Sequence, residues 1–100
     1  MTSRRILIVE DDSKTAREIA AALADNGMAA MHAATGVEAI ARARSQHFDA
    51  IILDRMLPGG LNGLEVLAAL RGTGVTTPVL ILSALSAVTW PRIARDMATA

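Results

Sequence analysis

Carboxylates follow two short apolar segments of this sequence, and their positions suit phosphoryl or metal chemistry. Asp54 follows the segment 50–53, and three consecutive acids at 10–12 follow the segment 6–9. If both segments are parallel strands, these like charges meet at one sheet edge, where a divalent cation, a shared proton or a reactive carboxylate would explain them. Mg²⁺ suits the site because it takes one or two carboxylates plus water and phosphate oxygens. Asp54 could then attack phosphorus, and the Ser83 hydroxyl could hydrogen-bond the phosphoryl oxygens.

Short apolar segments alternate with amphipathic ones, which predicts strands alternating with helices. Strands are predicted over 6–9, 28–33, 50–53 and 78–82, and helices over 13–26, 36–46 and 63–71. Ser13 and Thr35 are the predicted N-caps of the first two helices. This alternation indicates βαβ units, a parallel sheet and helices on both of its faces.

Apolar residues at helical spacing predict which side of each helix faces the core. The predicted inward residues are Ile19, Ala22 and Leu23 in the first helix, Val37, Ile40 and Ala41 in the second, and Leu64, Leu67 and Leu70 in the third. After the fourth strand, Pro91 suits the first turn of another helix, and no fifth strand is predicted.

Composition limits the classes of protein to which the chain can belong. One hundred residues with 52% hydrophobic content make one small domain. A formal net charge of zero argues against a nucleic-acid-binding face. The absence of cysteine excludes disulfides, zinc-thiolate sites and thiol catalysis. No apolar stretch approaches the about 20 residues of a membrane span, so a soluble, cytoplasmic protein is predicted.

Five short motifs, taken in order, carry a family resemblance. They are Ile-Leu-Ile-Val-Glu-Asp-Asp at 6–12, Ala-Thr-Gly at 34–36, Asp-Ala-Ile-Ile-Leu-Asp-Arg-Met-Leu-Pro at 49–58, Asn-Gly at 62–63 and Thr-Pro-Val-Leu-Ile-Leu-Ser-Ala at 77–84. From Arg5 to about Val88, the chain resembles the receiver domain of two-component response regulators, most closely the group with a winged-helix output domain. The resemblance implies a flavodoxin-like, doubly wound parallel sheet of order 2-1-3-4.

The resemblance also implies roles for individual residues. Asp54 would accept a phosphoryl group from a sensor histidine kinase, and Ser83 would be the switch hydroxyl. Asp11, Asp12 and Asp54 would hold Mg²⁺ together with the backbone carbonyl of Met56. Such a domain is not an enzyme beyond self-phosphorylation and autodephosphorylation.

Parts of the family pattern are missing from these 100 residues. Family members continue to a fifth strand that ends in a lysine, and then to a fifth helix, whereas the only lysine here is Lys14. The chain is therefore interpreted as a single receiver domain, 1–100, incomplete after about residue 88. The alternative function is a truncated receiver-like interaction module that does not switch. An unpaired fourth strand predicts a homodimer or higher oligomer.

Several residues receive a less specific interpretation. Glu10 is expected to adjust the electrostatic field of the acidic site rather than to bind the ion. His32 and His47 are expected at the surface or at strand ends, away from the acidic edge. Ala84 would leave room for the phosphoryl group. A haloacid-dehalogenase-type phosphatase is disfavoured because Met56 stands where that chemistry needs a second acid.

Overall fold

Four parallel strands alternate with three helices in a computed structural model that describes residues 3–57 and 60–82. The strands are β1 (Arg5–Val9), β2 (Ala29–Ala33), β3 (Ala50–Asp54) and β4 (Val79–Leu82), and the helices are α1 (Ser13–Asp25), α2 (Gly36–Ser45) and α3 (Gly63–Gly72). The sheet order is β2-β1-β3-β4, and every pair is parallel. The predicted order and fold class are confirmed. All four strands end at the same edge of the sheet.

The uniformly apolar strands are explained by a core on each face of the sheet. Ile6 and Ile8 of β1 point to one face, where they join Ile19 and Leu23 of α1. Leu7 and Val9 point to the opposite face, where the core includes Ala39 of α2 and both Val66 and Leu70 of α3. A strand covered on both faces needs apolar residues at every position, and this explains why β1 and β3 lack polar alternation.

The predicted inward faces of α2 and α3 were partly wrong. Val37 is 69% exposed, Leu64 is 48% exposed, and Ala41 is also exposed. The buried residues of α2 are instead Gly36 and Ala39. The start of α2 lies so close to α3 that a Cβ on Gly36 would stand 2.6 Å from Val66 Cγ2. Close contact between the start of α2 and α3 therefore requires a small residue at position 36.

The N-cap predictions had mixed outcomes. Thr35 caps α2 as predicted, but α1 is capped by Asp12 and begins at Ser13. The Asp12 carboxylate accepts hydrogen bonds from the Thr15 backbone N–H, at 3.2 Å, and from the Thr15 hydroxyl. Both residue types are good caps, so only the path of the chain leaving β1 decides between the neighbours Asp12 and Ser13.

Replacing Thr35 by alanine is expected to lower the free energy of unfolding by about 1 kcal/mol, because its hydroxyl accepts from the Glu38 N–H at 3.2 Å. Thr35→Ser keeps the acceptor and should recover most of the loss. Thr76→Ala, at an exposed position outside the helices, is the control. Denaturant unfolding measures all three variants. Equal losses for Thr35→Ala and Thr76→Ala would contradict the role of the cap.

Some predictions concern residues outside the described part of the chain. Ser83, Ala84, the helix expected after Pro91 and the predicted absence of a fifth strand all concern residues 83–100. Within the described part, no helix combines the length and apolar character needed to cross a membrane.

Candidate acidic site

The acidic residues that follow β1 and β3 meet because these two strands are neighbours in the sheet. Their register pairs Val9 with Leu53, so the next residues, Glu10 and Asp54, lie side by side at the carboxyl edge of the sheet. Carboxylate oxygens of Glu10, Asp11 and Asp54 all lie within 4.8 Å of one another. The predicted convergence of acids from two strands is therefore present at the carboxyl edge of the sheet.

Glu10 is the buried member of this three-carboxylate cluster, with 8% of its surface exposed. Its Oε1 accepts a hydrogen bond from the Asp12 N–H at 3.1 Å, which favours the ionised form. Burial nevertheless dominates, and together with the neighbouring Asp54 and Asp11 carboxyls it raises the pKa of Glu10 to about 7. Glu10 therefore holds a proton part of the time near neutral pH in the absence of a cation.

Glu10 was expected only to tune the field, but its carboxylate lies within the cluster itself. Its position directly after β1 identifies Glu10 as a member of the cluster. Glu10 follows Val9 as Asp54 follows Leu53, and the register places those two apolar residues opposite each other.

Asp12 has a different environment from Glu10 and Asp11. Its carboxylate accepts from Thr15 at the start of α1, and these hydrogen bonds lower the pKa of Asp12 below its usual value. The cluster formed by Glu10, Asp11 and Asp54 does not include it. A metal-binding role for Asp12 remains a prediction.

Asp54 lies at the end of β3 and is half-buried. Its Oδ1 accepts a hydrogen bond from the Met56 N–H at 3.0 Å. The next residue, Arg55, is tied on both sides, because its N–H donates to the Leu82 carbonyl and its own carbonyl accepts from the Gly63 N–H, each at 3.1 Å. These bonds hold the chain that follows Asp54 in one path and so orient its carboxylate.

Helix α3 begins directly against this segment. Asn62 accepts from the Glu65 N–H at 2.9 Å, and Glu65 accepts from the Asn62 N–H at 3.1 Å, which makes a capping box. A Cβ on Gly63 would stand 2.4 Å from the Asp54 carbonyl oxygen. The absence of a side chain at this position therefore lets α3 approach the backbone of Asp54.

The two histidines differ in their relation to the site. His47 is exposed and pairs with Asp49, before β3, at the other end of the sheet. His32 Nε2 lies 2.6 Å from the Glu10 carbonyl oxygen. His32 is at an exposed strand end as expected, but the prediction that it lies away from the acidic edge was wrong, because β2 runs beside β1 and reaches the same edge.

The donor set of the cluster fits Mg²⁺. Three carboxylates supply the hard oxygen ligands that this ion prefers. Within residues 3–57 and 60–82, no ion pair joins a lysine or arginine to any of the three. Burial is the main cause of the raised pKa of Glu10, and the neighbouring Asp54 and Asp11 carboxyls add to it. A divalent cation would remove the repulsion that the protein itself leaves in place.

The fold and this acidic edge define a flavodoxin-like α/β domain with a possible Mg²⁺-binding cluster at the carboxyl ends of its strands. A family model described as the response regulator receiver domain matches residues 6–96, which extends past the resemblance from Arg5 to about Val88. The chain belongs to this family. It is 46% identical over 85 residues to the transcriptional regulatory protein TcrA of Mycobacterium tuberculosis; the match covers 85% of this chain and 33% of TcrA. The chain thus spans about a third of that relative's length.

Solved structures agree with the family assignment. The receiver domain of the Francisella response regulator 1452 superposes with a TM-score of 0.83 at 25% identity, covering 97% of this chain and 94% of the other. The response regulator TrrA of Thermotoga maritima, solved in complex with Mg²⁺-BeF, superposes with a TM-score of 0.75 at 27% identity, covering 93% of this chain and 82% of the other. The similarity therefore extends over nearly the whole chain.

Proposed function

We propose that this chain is a phosphoacceptor receiver domain that takes a phosphoryl group from a sensor histidine kinase onto Asp54 with the help of Mg²⁺. The observation that carries the proposal is the convergence of three carboxylates from β1 and β3 at the open edge of the sheet. Membership of the receiver family supports it. The Mg²⁺-BeF complex of TrrA supports the same chemistry in a relative of this fold.

The proposed reaction is a substitution at phosphorus. An Asp54 carboxylate oxygen forms a bond to the phosphorus of a phosphohistidine as the P–N bond breaks, and the imidazole nitrogen departs with the electron pair. The Met56 N–H donates to Asp54 Oδ1 and holds the carboxylate in one orientation. Ser83 is proposed as the hydroxyl that then bonds the phosphoryl oxygens.

Glu10, Asp11 and Asp54 are the residues whose geometry suits the ion. Mg²⁺ would supply positive charge to offset these carboxylates and the oxygens of the incoming phosphoryl group. The Met56 carbonyl, which follows Asp54 closely, is proposed as a further oxygen ligand. Asp12 was the predicted partner of Asp11, but Glu10 is better placed because its carboxylate already lies in the cluster.

Substitutions of Asp11 and Asp12 are expected to have different effects. Asp11→Asn should weaken Mg²⁺ binding by about tenfold or more, with little loss of stability, because its carboxylate belongs to the cluster. Asp12→Ala should lower the melting temperature through loss of the α1 cap and should change Mg²⁺ affinity much less. Calorimetric Mg²⁺ titration and thermal unfolding measure the two effects. A larger loss of Mg²⁺ affinity in Asp12→Ala than in Asp11→Asn would show that Asp12 is the ligand.

Phosphoryl-analogue binding tests the function directly. The chain is treated with Mg²⁺ and beryllofluoride, or with a small-molecule phosphodonor, and examined by NMR and mass spectrometry. An adduct at Asp54 that is absent in Asp54→Asn and requires Mg²⁺ is expected. Asp25→Asn, on the exposed end of α1, is the matched control. No adduct in the parent chain would reject the proposal.

The same samples test the alternative of an interaction module. Light scattering with and without beryllofluoride would report the predicted dimer or higher oligomer and any change in association. Association that is present without the adduct and unchanged by it would favour a module that does not switch. Association that follows the adduct supports a switching receiver domain.

A further inference from the structure

A histidine side chain from β2 contacts the backbone of the acidic site. His32 Nε2 lies 2.6 Å from the Glu10 carbonyl oxygen. A carbonyl oxygen can only accept a hydrogen bond, so Nε2 carries the proton and donates. The bond joins residues 22 positions apart in sequence, across the boundary between the edge strand β2 and the segment that leaves β1.

The contact occurs where the backbone ladder between β1 and β2 ends. The last paired residues are Val9 and Ala33, and the Glu10 N–H still donates to the Ala33 carbonyl at 3.1 Å. The Glu10 carbonyl lies past this point and receives its hydrogen bond from the His32 ring. A side chain thus takes the place of a strand donor at the first residue beyond β1.

Holding this carbonyl has a consequence for the carboxylates. The Glu10 carbonyl and the Asp11 N–H belong to one planar peptide unit, so fixing the carbonyl restricts the backbone torsions on both sides of it. Those torsions set the directions in which the Glu10 and Asp11 side chains leave the chain. Glu10 is further held through its own N–H and through Oε1, which accepts from Asp12.

We propose that His32 is a positioning residue for the acidic site, whose Nε2–H bond to the Glu10 carbonyl keeps the Glu10 and Asp11 carboxylates aligned with Asp54 for a divalent cation. This inference rests on the proposed function in one respect, the binding of Mg²⁺ by the cluster. It assigns a task to a residue that touches neither the ion nor the phosphoryl group.

The test compares Mg²⁺ affinity in four proteins by calorimetric titration at pH 8: the parent chain, His32→Ala, His32→Gln and His47→Ala. His32→Ala should bind Mg²⁺ about three- to tenfold more weakly, the change expected for one hydrogen bond. His32→Gln offers an amide N–H at a similar reach and should recover most of that affinity. His47→Ala removes the exposed histidine at the other end of the sheet and should bind like the parent.

Nitrogen NMR of the parent chain gives an independent readout, because it distinguishes the two neutral tautomers of histidine. His32 should be protonated at Nε2 at pH 8, and this measurement needs no variant to fold. A proton on Nδ1 would overturn the inference, as would equal Mg²⁺ affinity in His32→Ala and the parent. Absence of Mg²⁺ binding in the parent would reject the proposed function as well, so the two failures are distinguishable.

Discussion

Replacing Gly63 by alanine is expected to lower the free energy of unfolding by about 2–3 kcal/mol and to disrupt the proposed acceptor site at Asp54. A Cβ there would stand 2.4 Å from the Asp54 carbonyl oxygen, 2.7 Å from Arg55 Cα and 3.1 Å from the Asp54 carbonyl carbon. All three atoms are backbone, so no side chain can rotate away. Either α3 moves off the sheet or the end of β3 shifts, and Asp54 moves with it.

The direction of this effect is opposite to helix propensity. Within a helix, alanine is more favourable than glycine by about 1 kcal/mol. A Gly-to-Ala change in α3 should therefore stabilise the protein wherever space allows. Gly72, at the other end of α3, supplies the control because a Cβ there meets nothing within 4 Å. Gly72→Ala is therefore expected to be neutral or slightly stabilising.

Denaturant unfolding and the beryllofluoride adduct measure the two consequences in the same proteins. Gly63→Ala should lose stability and form less adduct, whereas Gly72→Ala should keep both. If the two variants were equally stable, the close approach of α3 to the Asp54 backbone would be disproved. If Gly63→Ala lost stability but formed the normal amount of adduct, α3 would support the fold without positioning Asp54.

Without a divalent cation, the protein should become less stable as the pH rises from about 5 to 8. The pKa of Glu10 is about 7 in the folded protein, above the ordinary value of 4.5. Between these pH values the folded state keeps a proton that the unfolded state has released. The free energy of unfolding therefore decreases as the pH rises, and the decrease is complete once the pH exceeds the pKa of Glu10 in the folded state. The loss is on the order of 2 kcal/mol, since one pKa unit corresponds to about 1.4 kcal/mol and the site is partly solvated.

Glu10→Gln should remove most of this pH dependence. The glutamine has no carboxylate to desolvate, so the variant should be more stable than the parent at pH 8 without a cation. Glu18→Gln, on the exposed surface of α1, is the matched control and should keep the parent slope. Asp12 and Asp49 do not interfere, because their pKa values are lowered by hydrogen bonds from Thr15 and Arg5 and their contribution is lost only as the pH falls into the acid range.

Mg²⁺ should reverse the trend in the parent. A bound cation favours ionised carboxylates and competes with the Glu10 proton, so its affinity and the stability that it adds should both rise with pH. Thermal unfolding at several pH values, with and without saturating Mg²⁺, measures both effects. A parent protein whose stability varies with pH no more than that of Glu10→Gln would contradict the assignment of Glu10 as the buried acid of the cluster.

Much of the architecture was predictable because its signals are local in the sequence. Runs such as Ile6–Val9 and Ala50–Leu53 are apolar at every position, which is typical of strands covered on both faces. Amphipathic segments between them indicate crossover helices, and the family motifs supply the strand order. Asp54 was predicted as a site residue from a local signal too, because it directly follows the apolar run 50–53.

The identity of the acids that meet Asp54 was decided by the tertiary structure. Three consecutive acids follow β1, and the family resemblance implied that Asp11 and Asp12 hold the ion. The register between β1 and β3 places Glu10 beside Asp54, and the start of α1 takes Asp12 as its cap. Neighbouring residues in a strand or turn point in different directions, so a shift of one position changes which carboxylates converge.

The sequence by itself thus determined the kinds and order of the elements, the class of fold and the place of Asp54 at the acidic edge, because these depend on apolar runs and short motifs. The tertiary structure decided that Val37 and Leu64 face outward, that Gly63 must lack a side chain and that His32 reaches the Glu10 carbonyl. Each of these depends on how closely two elements distant in sequence approach each other. That separation is set by the packing of the whole domain, and no local pattern of residue types records it.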